Sequence, residues 1–445
     1  MIDQIYHTLL WVCSILAILS GLDDTLIDLI YWFNIIKYKK MLPKFKDIDS
    51  GPEKSIALII CAWKEFRVIE RTLNTALEKL KYSNYKIFVG VYPNDNKTID
   101  VVKSIEEKNS KVKVCINVHD GPTTKADNLN NVYNEIKKYE DSVGKQFDVI
   151  VIHDSEDFIH AHSLKLFSHI FTKYKVDAAQ IPVVPIKDKR GKFIHRMYCD
   201  GFAELHSKDI IVRQVINTFI PFAGTGMAFT RDIFKFLEKN NPQVFNDANL
   251  TEDYELGIKL FKSGFKVRFI NLPTRKESEA TIIATKEYFP NSFWAAVKQR
   301  SRWTAGICFQ NWKMHKWHGS FKTKYFLMHD RKTVMNNLLM MIFEIVFMFF
   351  LVDVSQQIFH YKIIDINVPQ SGPIWFALWG VFVFMLSRLS HRFFFTYKWY
   401  GAKYAVFSLV RILVDNFVNF FATIRAIKVF SQMKQKIVWE STDHY

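Results

Sequence analysis

The run Phe147 to His153 is strongly apolar and breaks abruptly into Asp154-Ser155-Glu156-Asp157. Carboxylates crowded at the tip of a buried strand repel one another unless a cation lies between them. Hard oxygen ligands suit Mg²⁺ or Mn²⁺, and such ions bridge carboxylates to phosphates. Asp154 and Glu156 are therefore read as metal ligands, with Asp157 open in place of Glu156. The ion would neutralise a diphosphate leaving group. A solvated acidic turn is the bland alternative.

Thr251-Glu252-Asp253 is the second acidic cluster. Thr251 suits a helix N-cap, and the acids suit a first helical turn. Asp253, with Glu252 beside it, also has the chemistry of a general base that takes a proton from an attacking hydroxyl. The two readings are compatible. In Gln299-Arg300-Ser301-Arg302-Trp303, one helical face would gather Gln299, Arg302 and Trp303. The guanidinium forks onto phosphate oxygens, and the indole offers a flat face to a sugar ring. The alternative is a basic amphipathic helix at a membrane surface, anchored by Trp294, Trp312 and Trp317.

These groups need a scaffold. Apolar runs at 55–61, 85–91, 111–118 and 147–153 predict strands, and periodic segments at 67–79, 96–108, 128–139 and 254–261 predict helices. That alternation predicts a mostly parallel sheet with helices on both faces. Ligands of such sheets bind beyond the carboxyl ends of the strands. Cys61 to Glu65, Tyr92 to Asp95, His119 to Lys125 and His153 to Asp157 all fall at such ends. Any one of them alone could be a turn or a cap.

The 445 residues carry a net charge of +16 and include 40 Phe. There is no zinc-finger spacing, helix-turn-helix or RNA-binding signature, so nucleic acid is not the expected partner. The basic clusters Lys37 to Lys40, Lys44 to Lys46, Arg331-Lys332 and Arg388 to Lys403 instead flank apolar stretches. That pattern fits the anionic cytosolic leaflet. Five scattered cysteines predict reduced thiols. Membrane spans are predicted at 5–22, 334–354 and 374–386. The stretch 26–36 either extends the first helix or lies at the interface.

From 404 to 425, Ser408, Arg411, Asp415, Asn419 and Thr423 form a polar stripe on a helix that is expected to lie flat or re-entrant. Arg411 and Asp415 are read as a mutual ion pair or as the lining of a glycan path. The organisation expected is an anchor at 1–40, an α/β domain at 54–290, amphipathic interface helices at 291–330 and a membrane region at 331–445 with two spans and an interfacial helix.

The order Asp95, Asp154-Ser155-Glu156, Thr251-Glu252-Asp253, Gln299-x-x-Arg302-Trp303 resembles the D, DxD, TED, QxxRW series of processive family 2 glycosyltransferases, such as cellulose and hyaluronan synthases. Several segments look like the bacterial phage-adsorption protein B branch, inner-membrane glycosyltransferases associated with exopolysaccharide secretion. They are Gly21 to Asp24, Gly121 to Asp127, Phe202 to His206, Leu250 to Tyr254 and Trp439 to His444. Some members add a carboxy-terminal domain that binds a cyclic dinucleotide; ending at Tyr445, this chain is expected to lack one.

The resemblance implies a GT-A-type, Rossmann-like domain flanked by transmembrane and interfacial helices. It implies a nucleotide-diphosphate sugar donor, UDP-linked, carrying a hexose or N-acetylhexosamine, and inverting transfer to a growing polysaccharide. It also implies a cytosolic catalytic domain, contact with membrane lipids and an outer-membrane or periplasmic secretion partner. Ala62, Trp63 and Glu65 would border the base and ribose, and Asp95 would contact the nucleotide. Lys125, Gln299 and Arg302 would meet the diphosphate, whose metal Asp154 and Glu156 would hold. Asp253 would be the base, and Trp303 with Gly224, Thr225 and Gly226 would face the acceptor. The sequence departs from the pattern at Glu156, where Asp is usual, and at Lys64, where a small polar residue is common. Two rival readings stand: non-processive transfer to a polyprenyl phosphate or lipid, and a non-catalytic scaffold in a secretion or phage-receptor complex.

Overall fold

The computed structural model describes residues 2–49, 51–187, 193–241, 243–274, 282–364 and 371–432, so Lys434, Lys436 and the Trp439 to His444 segment lie outside the described residues. Its strands are β1 (Ile56–Cys61), β2 (Tyr85–Val91), β3 (Val112–Ile116), β4 (Val149–Asp154), β5 (Ala178–Gln180), β6 (Val183–Pro185), β7 (Met227–Thr230), β8 (Val267–Phe269) and β9 (Thr285–Glu287). The helices begin with α1 (Ile2–Met41), α2 (Phe66–Lys79), α3 (Asn96–Lys108), α4 (Lys125–Val143) and α5 (Ser163–Lys173). They continue with α6 (Phe193–Glu204), α7 (Ile210–Val215), α8 (Arg231–Asn240), α9 (Glu252–Lys262) and α10 (Phe293–Thr304). The last four are α11 (Asn311–His315), α12 (Phe321–Phe359), α13 (Gly372–Tyr400) and α14 (Ala402–Gln432).

β1 and β4 are apolar in nearly every position because both faces of the sheet are covered. Along β1 the pleat sends Leu58 and Ile60 into one core with Ile69 and Leu73 of α2. It sends Ala57 and Ile59 into another with Leu129 and Val132 of α4. The main sheet runs β3-β2-β1-β4-β7-β5-β8. The first four strands are parallel, as expected. β7 is antiparallel to both of its neighbours, so the sheet is mostly parallel, as predicted, with one reversed strand. The reversal has a consequence for position. Ile152 pairs with Met227, so the loop before β7 arrives at the edge where β1, β2, β3 and β4 end. A separate pair, β6 and β9, brings a late segment of chain to the same edge.

Among the described residues four helices are long and apolar enough to cross a membrane: α1, α12, α13 and α14. α1 is one continuous helix, so the stretch 26–36 extends the first. Its Asp23 accepts from Tyr325 (2.5 Å) and lies 2.7 Å from His329 Nδ1 on α12, while Asp24 pairs with Lys332 at 3.0 Å and with Arg388 of α13 at 3.1 Å. Lys208 joins Asp28 (2.7 Å) to Glu204 (3.0 Å), and Arg392 meets Glu204 at 3.0 Å. The Gly21 to Asp24 segment therefore joins α1 to α12 and α13, and the Phe202 to His206 segment joins the domain to α13.

α14 meets the length and composition of a span, where an interfacial helix was predicted. Its polar stripe faces protein. Arg411 forks onto Asp200 of α6 at 2.6 and 2.8 Å. Asp415 and Asn419 both take Arg300 of α10, at 2.5 and 2.7 Å. Thr423 accepts from Asn337 of α12 at 3.0 Å. Arg411 and Asp415 are thus not paired with each other: Arg411 is spent on α6 and Asp415 on α10.

The Arg411–Asp200 pair is buried on both sides. Removing one partner of such a pair costs about 3–5 kcal/mol, whereas an apolar replacement of both is close to neutral. Asp200→Asn and Arg411→Met should each lower the thermal unfolding midpoint in detergent by several degrees, and Asp200→Leu combined with Arg411→Met should recover most of it. Additive losses in the double variant would contradict this account.

Candidate active site

Each loop at the shared edge is held by a neighbour. Asp95 caps α3 through Thr98 N and accepts from the Lys64 backbone amide at 2.6 Å. Lys64 has φ +59, a left-handed conformation that this amide contact holds in place. Asn94 clasps Gly121 from both sides, donating to its carbonyl (2.7 Å) and accepting from its amide (2.9 Å). The Trp63 ring packs on Gly121 and meets Tyr92 edge to face at 5.0 Å. Ala62 is fully buried, and its amide donates to Gly90 at 2.9 Å. Asp95, Trp63 and Ala62 therefore brace the loops at this edge, and Trp63 is committed to Gly121.

Beside them the carboxylates gather. Asp154, Glu156 and Glu287 each offer an oxygen within 4.8 Å of the others. Glu65 joins them through the Ser155 hydroxyl, which also donates to Glu156 at 3.0 Å. Asp157 turns the other way. It accepts from the Asp154 amide at 3.0 Å, contacts His153 Nδ1 at 2.7 Å and receives the Thr225 hydroxyl. Of the two candidates left open by the sequence, Glu156 stands with Asp154, and Asp157 braces the turn.

Burial and mutual repulsion show in the proton affinities. Burial pushes Asp154 up to about 6, against the pull of Lys125 and with the push of Glu156. Glu65 and Glu287 lie well above the usual carboxylate range, through burial first and then their acidic neighbours. A set of acids this close, in which Asp154, Glu65 and Glu287 resist ionisation, fits a divalent cation.

Lys125, the first residue of α4, forms an ion pair with Asp154 and donates to the Gly224 carbonyl at 2.9 Å. Burial works against its charge, yet Asp154 and Glu252 hold its pKa above the ordinary lysine value. Gly224 has φ +76, and a Cβ built there would stand 3.2 Å from Asp253 Oδ2 and 3.5 Å from Lys125 Nζ. Asp253 thus reaches the Lys125–Asp154 pair across one glycine. Burial raises Glu252 and Asp253 at the start of α9, Glu252 to about 7. Thr251 occupies the N-cap position, but its hydroxyl caps nothing there; it accepts from Asn311 at 3.1 Å.

The Gln299 to Trp303 helix enters from the side. Trp303 packs with Ala223 around Tyr198 and Phe289, its ring 6.2 Å from that of Phe202. That places it behind the Ala223 to Gly226 loop. Gln299 is buried and its Oε1 has no partner among the described residues. Gln299 and Arg302 sit on α10 with Trp303.

Two participants escaped the sequence reading. Glu287 rides on β9, which the bridge Phe158–Lys286 and the pairing with β6 carry to the acid turn. Gln180, buried at the end of β5, donates to the carbonyls of Thr225 (2.8 Å) and Gly226 (3.2 Å) and accepts from Ala223 N (3.0 Å). A single Glu between Lys286 and Tyr288 offered only a weak signal, and a lone Gln offered none.

The family model described as glycosyltransferase like family 2 matches residues 52–306. Bacteriophage adsorption protein B of Escherichia coli strain K12 and bacteriophage N4 adsorption protein B of Escherichia coli O157:H7 are each 33% identical over 455 aligned residues, which cover 97% of this chain. The chain spans 61% of the length of these relatives. Among solved structures, mannosyltransferase PcManGT from Pyrobaculum calidifontis, in complex with GDP-Man and Mn²⁺, superposes with a TM-score of 0.51 at 14% identity, covering 96% of this chain and 100% of that one. That likeness concerns the fold.

Gly224→Ala tests the junction. A side chain at this φ costs about 1–2 kcal/mol, and the methyl group presses on Asp253 and Lys125. Any sugar-transfer activity should fall at least tenfold, while the unfolding midpoint drops only a few degrees. Full activity in the alanine variant would separate Asp253 from the Lys125–Asp154 pair.

Proposed function

The chain belongs to the glycosyltransferase-like family 2, and from that premise we propose that it transfers a hexose or N-acetylhexosamine, with inversion, from a nucleotide-diphosphate sugar to a growing polysaccharide. The observation that carries this reading is the convergence of Asp154, Glu156 and Glu287 within 4.8 Å, with Asp253 one glycine away. Asp154, Glu156 and Glu287 would hold Mg²⁺ or Mn²⁺, which when bound neutralises the charge of the diphosphate leaving group. The same fold in PcManGT holds GDP-Man and Mn²⁺.

The remaining roles fall to the chain's own groups. Lys125 sets a second positive charge beside the diphosphate position. Asp253 accepts the proton of the attacking hydroxyl. A single base and direct displacement at the anomeric carbon invert its configuration. Trp303, behind the Ala223 to Gly226 loop, supports the acceptor side, and Gln299 with Arg302 reaches the diphosphate once donor is bound. UDP is the donor nucleotide carried over from the family resemblance.

The positive segment Lys37 to Lys40 at the end of α1 favours a cytosolic catalytic domain at a bacterial inner membrane. The domain boundaries we assign are an anchor at 1–40, a catalytic unit at 54–290, interface helices at 291–330 and a membrane region at 331–445. The relatives are named for bacteriophage adsorption, which suits an exopolysaccharide delivered through a periplasmic or outer-membrane partner.

Asp253→Asn should lower transfer about 10³-fold while leaving donor binding nearly unchanged. A base must be ionised, and burial raises Asp253. The acid limb of kcat/KM should therefore lie above the ordinary aspartate range, with the rate climbing as pH rises through it. Glu287→Gln should raise the Mn²⁺ concentration for half-maximal activity at least tenfold. Radiolabelled donor and product sizing decide the rest: a ladder of lengths supports processive synthesis, and a single-sugar lipid refutes it. Absence of transfer from every common donor would leave the scaffold reading in place.

A further inference from the structure

Three segments that carry site groups meet at one buried point behind the acid turn. Asp157 Oδ2 accepts from the Asp154 amide at 3.0 Å and lies 2.7 Å from His153 Nδ1. The Thr225 hydroxyl donates to the same oxygen. Thr285 of β9 completes the group, its hydroxyl 3.4 Å from His153 Nδ1. Asp157 Oδ1 has no partner among the described residues, so the carboxylate holds its neighbours through one oxygen.

Each segment delivers something to the cleft. The acid turn offers Asp154 and Glu156. Residues two apart on a strand share a face, so Thr285 and Glu287 lie on one face of β9. Gly224, next to Thr225, is the point where Asp253 approaches Lys125. The Ala223 to Gly226 loop is pinned along its backbone by Gln180, which donates to the Thr225 carbonyl at 2.8 Å. It also packs closely on β9: a Cβ on Gly226 would stand 3.2 Å from Thr285 Cγ2. The Thr225 hydroxyl adds a side-chain bond from this loop to the acid turn.

His153, Asp157 and Thr225 are 0%, 2% and 1% exposed. No substrate atom reaches groups this deep, so His153 and Asp157 do not act as an acid–base pair, and the Thr225 hydroxyl does not serve an acceptor directly. Plain packing is the remaining alternative. It predicts that valine, which has the shape of threonine, replaces Thr225 with a loss of stability alone. The hydrogen bond argues for more. Without it a buried carboxylate loses a donor, and the turn that aims Asp154 and Glu156 relaxes around it.

We propose that Thr225 and Asp157 are a positioning pair that ties the Ala223 to Gly226 loop to the acid turn, so that the hold on the divalent cation and the placement of Asp253 beside it are set together. The role of Asp253 rests on the glycosyltransferase reading. The cation half does not, because binding is measured without turnover.

The test uses the full chain purified in detergent. Electron paramagnetic resonance of the free ion follows Mn²⁺ binding with and without UDP, and radiolabelled donor follows transfer at saturating Mn²⁺. Thr225→Val should weaken Mn²⁺ binding about fivefold and lower transfer about tenfold, the order of one hydrogen bond to a charged group. The loss of transfer should fall on kcat, with the donor KM nearly unchanged. Thr225→Ser keeps the hydroxyl and should restore both quantities to within about twofold of the parent. Asp157→Asn should weaken Mn²⁺ binding at least as much as Thr225→Val, and combining the two should lower it little further, because both act through one bond. If Asp157→Asn does not fold, the two Thr225 variants decide alone. Parental Mn²⁺ affinity or parental transfer in Thr225→Val, with only a lower unfolding midpoint, would overturn the proposal. So would a serine variant no better than valine, or strictly additive losses in the double variant. A parent chain that binds Mn²⁺ and transfers nothing sinks the glycosyltransferase reading, and the Mn²⁺ measurements then decide the pair by themselves.

Discussion

Like charges held in a buried place are the constraint on which the rest of this structure turns. Asp154, Glu156, Glu287 and Glu65 occupy one edge of the sheet, and burial raises the proton affinity of Asp154, Glu65 and Glu287. Nothing in their local chain segments favours that arrangement. It persists because separate pieces of backbone are fixed there by other means: β4 through the sheet, β9 through its pairing with β6, and the loop after β1 through Asp95. Lys125 supplies the protein's own cation, in contact with Asp154. A fold that stores repulsion at a cleft is prepared for a ligand that relieves it.

The same logic explains which acids stand where. Asp157 lies next to Glu156 in sequence, yet its carboxylate is consumed by His153, Thr225 and the Asp154 amide. It stabilises the turn that aims Asp154 and Glu156 outward. Asp95 likewise ends at a helix cap and the Lys64 amide. Acidic residues at strand ends thus divide into those that make the loops rigid and those that remain directed at the cleft.

How much of this could be read beforehand follows from the range of the interactions. The first four strands and the helices between them were legible because apolar period and loop punctuation are local. The convergence of Asp154 and Lys125 was legible because parallel strands deliver their ends to one edge, whereas Asp253 on α9 was expected there from its chemistry and the family resemblance. β7 was not: a four-residue strand carries too little pattern to reveal its direction. Glu287 was hidden because only the β6–β9 pairing, between segments a hundred residues apart, brings it home. The partners of Arg411 and Asp415 were misjudged for a related reason. Spacing of four suggested a pair within the helix, and tertiary contacts with Asp200 and Arg300 overrode it.

These long-range contacts also tie the site to the membrane helices. α9 carries Asp253 at its first turn and is gripped from both sides by close backbone approaches. A Cβ on Gly306, just past α10, would stand 2.4 Å from the Thr251 hydroxyl, and one on Gly257 would stand 2.3 Å from the Ile220 carbonyl. Only hydrogen fits at these two points, so α9 cannot move independently of the segment after α10. That helix is bound in turn to α14 through Arg300 and Asp415, and α14 to α12 through Thr423 and Asn337. A continuous series of contacts therefore joins Asp253 to the apolar helices. The Arg411–Asp200 and Arg300–Asp415 pairs accordingly hold the height of Asp253 relative to the apolar base, a task that apolar packing alone, free to slide along a helix, would define poorly.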